Sequence, residues 1–411
     1  MKRAGRLGVL CLTLLLLVVS LSGCTLWEEL HADLLFYLPF LQKTPDWETP
    51  PTTPAPAVPT PDRPVPAPSR HYYARLTPRQ QHAYLAILAA LPDFPERVEI
   101  PKMDSDALAA VIEAYSYDNP AQYNLGEVYT LVTQGNKTYF QPDYRFAQAL
   151  YADYSAAVER EKQAFLATVQ TNVDDFALEK AVHDFLVARI DYTNDGSAAQ
   201  STPYGALVLG KAACEGYARA AKMLLDALGV ENMLRTGTAT NSVGKSESHM
   251  WNTVRVDGVW TNLDVTWDDP VVSDDAPGGV RYDYFNLSDA ELGRTHRAAT
   301  EIVACTQTDA NFFVHQGLYF TEYSNKVREK ISAALGANLR QGVYTLSLRF
   351  ADADTAATTL ESLTNARNGA IYRMLQTHAL SAPQAIDTGK ILFSQNENLH
   401  ILRFFVQTED R

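Results

Sequence analysis

Apolar residues recur at helical spacing after Cys214 (Tyr217, Ala218, Ala221, Leu224, Leu225, Leu228) and stop at Gly229, which predicts a helix that opens on a cysteine. Alternation follows. Trp251, Thr253 and Arg255 face one way, Asn252, Val254 and Val256 the other, and Asp257-Gly258 is a two-residue turn of the type hairpins favour. Residues 260–267 then form the return strand. A hairpin centred on that turn pairs residues whose numbers sum to about 515, so His249 falls opposite position 266 and Asp264 lies two residues away on the same face. Neighbours on one face of a sheet are within about 4.5 to 8 Å, close enough for carboxylate and imidazole to meet.

Elsewhere the pattern predicts a helix from Thr77 to about Leu91, with Thr77, Pro78 and Gln80 as cap, first-turn proline and capping partner. It predicts a second from Ser105 to Tyr115, strands near 128–132 and 137–140, and a third helix from Asp143 to about Thr168. A fourth, capped by Asp174 or Asp175, runs to Ile190. The last third alternates helices (324–335, and 356–375 broken near Gly369) with strands (344–350, 390–394, 400–406) and carries no motif assignable to chemistry.

The amino end differs. Lys2, Arg3 and Arg6 precede an apolar run from Leu7 to Leu21 that is short for a bilayer span, and it ends in Leu21-Ser22-Gly23-Cys24. That ending resembles the bacterial lipobox, which implies a leader at 1–23 and lipidation of Cys24. Residues 44–69 are proline-rich, the composition of a semi-rigid spacer. Losing the leader takes the formal charge from −13 to −16, so nucleic acid is excluded as a partner and the lipid alone is left to hold the membrane. Of four cysteines, Cys11 leaves with the leader and Cys24 takes the lipid, leaving Cys214 and Cys305 either free or in one bridge. Acids at 268, 269, 274 and 275 crowd one loop without the spacing of an EF-hand.

Three segments, GKAACEGYARA, SHMWN and WTNLDVTWDD, are similar to the core motifs of the transglutaminase-like superfamily in its bacterial extracellular branch. The resemblance spans about 175–290. It implies an α+β fold with a papain-like core, in which a helix carrying Cys214 packs on an antiparallel sheet carrying His249 and Asp264. A helical extension would precede that core and an α+β accessory region follow it. It implies Cys214 as nucleophile, His249 as general base and Asp264 as the group that orients His249. An oxyanion needs donors, for which the Cys214 amide is one candidate and the hydroxyl of Tyr204, in preference to Tyr192, the other. Trp251 and Trp267 are candidates for the cleft wall. Glu215 can favour the helix start yet opposes a thiolate, and is given no catalytic role.

The expected organisation is therefore a leader (1–23), a membrane-proximal segment with linker (24–70), a helical extension (71–170), a catalytic core (171–298) and an accessory region (299–411). The resemblance implies acyl transfer through a Cys214 thioester, with hydrolysis of a peptide or amide bond in a wall-associated or secreted substrate as the expected outcome. Transfer to an amine, or a non-catalytic scaffold keeping the fold, are the alternatives. No cofactor and no metal are expected; the partners are a peptide or protein substrate and, through Cys24, the membrane at the outer face of the bacterial cell.

Overall fold

Thr77 and Gln80 open α1 (Pro78–Ala90) with a reciprocal capping box: the Gln80 amide donates to the Thr77 hydroxyl, and the Thr77 amide to Gln80 Oε1. The computed structural model describes residues 70–269, 280–300, 302–365 and 369–408, all within Pro54–Arg411, one of the two units into which the chain divides. The leader, Cys24, the proline-rich tract and the loop at 270–279 with Asp274 and Asp275 lie outside the described residues. Among the described residues no helix is long and apolar enough to cross a membrane.

After β1 (Val98–Ile100) comes α2 (Ser105–Asp118), capped by Asp104, then β2 (Leu125–Gln134) and β3 (Lys137–Tyr144), which form an antiparallel sheet of order β1-β3-β2. Tyr84, Ile87, Leu108, Val111 and Phe140 fill the space between the two helices and this sheet. The next helix, α3 (Gln148–Leu166), begins five residues later than its pattern suggests, because Tyr144 is still paired with Leu125 in the sheet.

Asp174 caps α4 (Asp175–Arg189), accepting from the Ala177 amide at 2.8 Å. The short parallel pair β4 (Asp191–Tyr192) and β5 (Lys211–Ala212) then brings the chain to α5 (Cys214–Ala227). Strands β6 (Asn232–Thr240), β7 (Ser246–Val256) and β8 (Val259–Leu263), the one-turn α6 (Val265–Asp268) and α7 (Asp289–Leu292), and β9 (His296–Ala298) follow, giving a sheet of order β8-β7-β6-β9 that is antiparallel throughout. Val254, Val256 and Leu263 share a core with Leu186, Tyr217, Leu224 and Leu225, so α4 and α5 cover one side of the sheet. This is an α+β fold of the papain-like kind, with the cysteine on a helix and the histidine on an antiparallel sheet.

The remaining chain runs α8 (Phe312–His315), β10 (Tyr319–Phe320), α9 (Asn325–Arg340), β11 (Thr345–Phe350), α10 (Ala353–Thr364), α11 (Ala370–His378), β12 (Ile386–Asn396) and β13 (Ile401–Thr408). Its sheet, β10-β11-β13-β12, buries Leu348 and Phe404 against Ile331, Leu335, Ile371 and Leu375. Leu399 and Ile401 at the start of β13 pack instead on Trp251, Leu287 and Phe313, under the sheet that carries His249.

Candidate active site

Ala213, the residue before α5, has no side chain able to cap, so no side-chain hydrogen bond closes the first turn of the helix that begins at Cys214. Gly216 lets that turn sit hard against the preceding loop: a Cβ there would lie 2.5 Å from the Gln200 carbonyl oxygen and 2.8 Å from the Ala212 Cβ. The helix is buried on nearly every face, more than one apolar stripe foretells. Its charged residues are partnered accordingly. Arg219 donates to Glu215 at 2.8 Å and to the Ser116 carbonyl at 2.8 Å, and Lys222 pairs with Asp226 at 3.1 Å. Glu215 is thereby neutralised, and its charge no longer opposes a thiolate one residue away.

His249 lies on β7 where the strand passes the start of α5, beside Cys214 on the wall of the same cavities and near enough for the thiol to act on its ring charge. The β7/β8 register follows the 515 sum, with Asn252 opposite Leu263 and Val254 opposite Thr261. The return strand stops at Leu263, however, rather than running to Trp267. Asp264 turns out of the sheet and caps α6: its Oδ1 accepts from the Thr266 and Trp267 amides at 3.1 and 3.2 Å. That leaves Oδ2 facing His249 Nε2 at 2.6 Å. With Nε2 committed to Asp264, Nδ1 is the ring nitrogen left for the thiol. Burial pulls the His249 pKa down, but the carboxylate and the cysteine outweigh it and lift it to about 10. Burial works against the Asp264 carboxylate in turn, yet His249 and then His296 hold it well below the usual carboxylate range.

His296 is absent from the sequence-level expectations. It stands on β9 and places Nε2 3.0 Å from the same Asp264 Oδ2. The approach depends on Gly237 of β6, which pairs with His249 on one side and Ala298 on the other. A Cβ on Gly237 would lie 2.1 Å from the Arg297 carbonyl oxygen and 2.9 Å from the Ala298 Cα. Gly237→Ala is therefore expected to push β9 off the sheet edge, costing ~1–3 kcal/mol of stability. Thermal melting checks this, and a shift no larger than that of Gly389→Ala, where the backbone is not left-handed and the nearest atom to the added carbon is the Asp387 Oδ1 at 3.4 Å, would contradict it.

The flanking aromatics divide. Trp267 lines the groove beside His249, at 6.0 Å between ring centroids. Trp251 does not: it is buried beneath the imidazole at 6.2 Å, donates Nε1–H to Asn262 Oδ1 and packs on Tyr284, Leu287 and Phe313, so it supports the His249 ring rather than walling the cleft. Tyr204 is likewise misplaced as an oxyanion donor. Its ring is buried face to face with Tyr154 at 3.8 Å and lines neither cavity at Cys214, whereas the half-exposed Tyr192 lines one of them. Burial and the nearby cysteine both push the Tyr192 hydroxyl toward its protonated, donating form.

Both described cysteines are free, so no bridge joins Cys214 to Cys305. Cys305 is buried, and burial followed by Asp289 pushes its thiol up to about 12, which keeps it unreactive. Two of the four acids expected to crowd a loop are committed elsewhere. Asp268 faces His183 Nε2 at 3.2 Å and accepts from the Tyr284 amide, and Asp269 accepts from the Tyr217 hydroxyl at 2.5 Å. Ligand atoms of His249, Asp264 and His296 lie within 4.8 Å of one another, the reach of a shared cation, but Asp264 Oδ2 already accepts from both rings and the set is satisfied as a hydrogen-bond network.

Two cavities meet at Cys214. One of about 440 Å³ lies toward α2, with Glu113, Tyr117 and Arg145 on its wall. The other, about 990 Å³, lies toward the end of β12, with Arg281, Asn396 and Arg403 on its wall. Cys214, Ser248 and His249 line both.

Residues 163–265 match the family described as the Transglutaminase-like superfamily, a span that contains Cys214, His249 and Asp264. Three solved structures share part of the chain. A structure described as a TGase is 15% identical, over 44% of this chain and 53% of that one, with a TM-score of 0.26. A candidate cysteine protease from Cytophaga hutchinsonii is 11% identical over 34% and 61%, at 0.23. A structure of menin, described as revealing its binding site for the Mixed Lineage Leukemia protein, is 17% identical over 55% and 51%, at 0.21. The chain thus spans about half to three fifths of these proteins. No curated protein matches it.

Proposed function

We propose that the transglutaminase-like domain is a thiol enzyme that transfers acyl groups through a Cys214 thioester and hydrolyses a peptide or amide bond. The observation that carries this reading is the chain of contacts from Cys214, at the uncapped start of a buried helix, through His249 to Asp264 at 2.6 Å. An imidazolium and a helix start both favour a thiolate. Sγ adds to the carbonyl carbon, the C–N bond breaks, and His249 gives its proton to the departing amine. Water then attacks the thioester, His249 takes a proton from it, and the carboxylate product leaves the thiol free. The Cys214 amide and the Tyr192 hydroxyl are the donors suited to the oxyanion.

A groove that continues on both sides of Cys214 supports an internal bond of an extended chain as the substrate. The leader, the lipobox-like Cys24 and the proline-rich spacer support a lipid-tethered enzyme at the outer face of a bacterial membrane, acting on wall-associated or secreted peptides. An amine in place of water would give cross-linking by the same acylation half.

A thiol-directed electrophilic probe is expected to label the purified chain at Cys214 between pH 6 and 9, and Cys214→Ala to abolish the label. Absence of labelling across that range defeats the enzyme reading and leaves a binding scaffold. Cleavage of a blocked peptide with and without an added primary amine then separates hydrolysis from amine transfer, by the mass of the acyl product.

A further inference from the structure

We propose that His296 is a positioning residue of this site, holding the Asp264 carboxylate in the plane from which it serves His249. The proposal rests on the reading of Cys214 and His249 as nucleophile and base. A carboxylate has about four lone-pair sites, and here all are taken: two amides of α6 on Oδ1, and two imidazole nitrogens on Oδ2. The amides fix one oxygen only. With His249 as the sole ligand of the other, a single hydrogen bond, to the ring that must move its proton, would set the angle of the carboxylate about its Cβ–Cγ bond. His296, 3.0 Å away on the remaining lone pair of Oδ2, supplies a second restraint independent of His249.

The donor role of His296 is secured from behind. Its Nδ1 is 2.8 Å from Thr295 Oγ1, which lies 3.4 Å from the Leu292 carbonyl oxygen. If the ring is neutral, the Thr295 hydroxyl donates to Nδ1. If it is charged, Nδ1–H donates to Oγ1 and the hydroxyl turns to Leu292. In either case Nε2–H points at Asp264. The ring is buried and wedged between Trp267 at 4.5 Å, Trp251 at 5.5 Å and Tyr284 at 5.6 Å, and it stands two strands from His249, with only Gly237 and Ala239 of β6 on the intervening face. The His296 ring centroid is 5.3 Å from that of His249, but its hydrogen bond within the site goes to Asp264, through which its positioning effect passes.

The test compares His296→Leu, which removes the donor, with His296→Gln, whose amide can reproduce it. Two quantities are read on the whole chain: the rate of Cys214 alkylation by iodoacetamide from pH 5 to 9, and the low-field NMR signal of the proton between His249 and Asp264. His296→Leu is expected to lower the alkylation rate at pH 6 by ~10-fold and to displace the low-field signal, while His296→Gln stays within ~3-fold of the wild type. A folded His296→Leu chain with the wild-type profile and signal overturns the proposal, as does an equal loss in both variants. Should His296→Leu not fold, Thr295→Val provides the second variant: it removes the Nδ1 partner, and an unchanged profile again overturns the proposal. Failure of the underlying enzyme reading looks different, because the wild type then shows no alkylation at Cys214 at any pH.

Discussion

Asp264→Asn is expected to lower the rate of acyl-enzyme formation by ~10³ to 10⁴-fold while leaving the chain folded. The size follows from how the side chain is held. Its Oδ1 accepts from two amides of α6 and its Oδ2 from two imidazoles. An asparagine has one acceptor oxygen, and the fixed amides of Thr266 and Trp267 claim it. The NH₂ group must then face both ring nitrogens, which can accept its protons only if neither carries one. His249 would hold its proton on Nδ1, the nitrogen that has to take the proton of the thiol. The base is thereby kept in place with the wrong tautomer. Losing the carboxylate also removes the influence that most raises the His249 pKa toward 10, so the acid limb of the alkylation profile should move to higher pH. Alkylation kinetics measured with near-wild-type melting would bear this out; a folded variant within ~10-fold of the wild type would show that Asp264 does not set the tautomer.

That the asparagine would fail for this reason is not visible in the chain's pattern, and the contrast marks what local sequence can carry. Asp257-Gly258 pins the hairpin, and the pleat then dictates which residues share a face, so the meeting of His249 with Asp264 was legible from numbers alone. The departure of Asp264 from the strand was not. Residues 264–267 continue the alternation of β8, and a single four-residue turn has too few positions to show a helical period. His296 lies on a strand of three residues with no alternation to announce it, and it reaches Asp264 only because Gly237 lets β9 come close.

Tertiary packing likewise overrode proximity for the aromatics. Tyr204 sits ten residues before Cys214, but Tyr154 of α3 takes its ring into the core, and Tyr192 in β4 occupies the groove instead. Trp251 shares the His249 face, as alternation requires. That face is closed by Phe313, Leu399 and Ile401, from a part of the chain in which no motif stood out. The Arg219 partner of Glu215, by contrast, stands at i+4, a spacing that sequence does reveal.

Glu179→Gln is expected to make the chain more stable relative to the wild type as pH rises, with no such gain near pH 5. Glu179 is buried on α4, where Asn286 Nδ2 donates to Oε2 at 2.6 Å and Oε1 has no hydrogen-bond partner. Burial is the dominant cause that lifts its pKa to about 8; Asn286 and the facing His183 oppose it, and Asp175 and Asp257 add to it. The sign follows from proton counting. Between the ordinary glutamate value, near 4.5, and about 8, the unfolded chain gives up this proton while the folded chain keeps it, so each pH unit costs the folded state up to ~1.4 kcal/mol. Above pH 8 both states are ionised and the loss stops growing. Glutamine has no proton to give up, so urea denaturation at pH 5, 6, 7 and 8 should show a difference between the chains that widens to a few kcal/mol. A constant offset at all four values would mean that Glu179 is ionised throughout. The consequence reaches the site, because Asn286 also accepts from Thr261 of β8 at 2.7 Å and follows closely on Tyr284, whose carbonyl accepts from the Asp264 amide at 3.1 Å. Ionising Glu179 above pH 8 therefore loads the segment that supports Asp264, and the wild type should lose Cys214 alkylation there sooner than the glutamine variant.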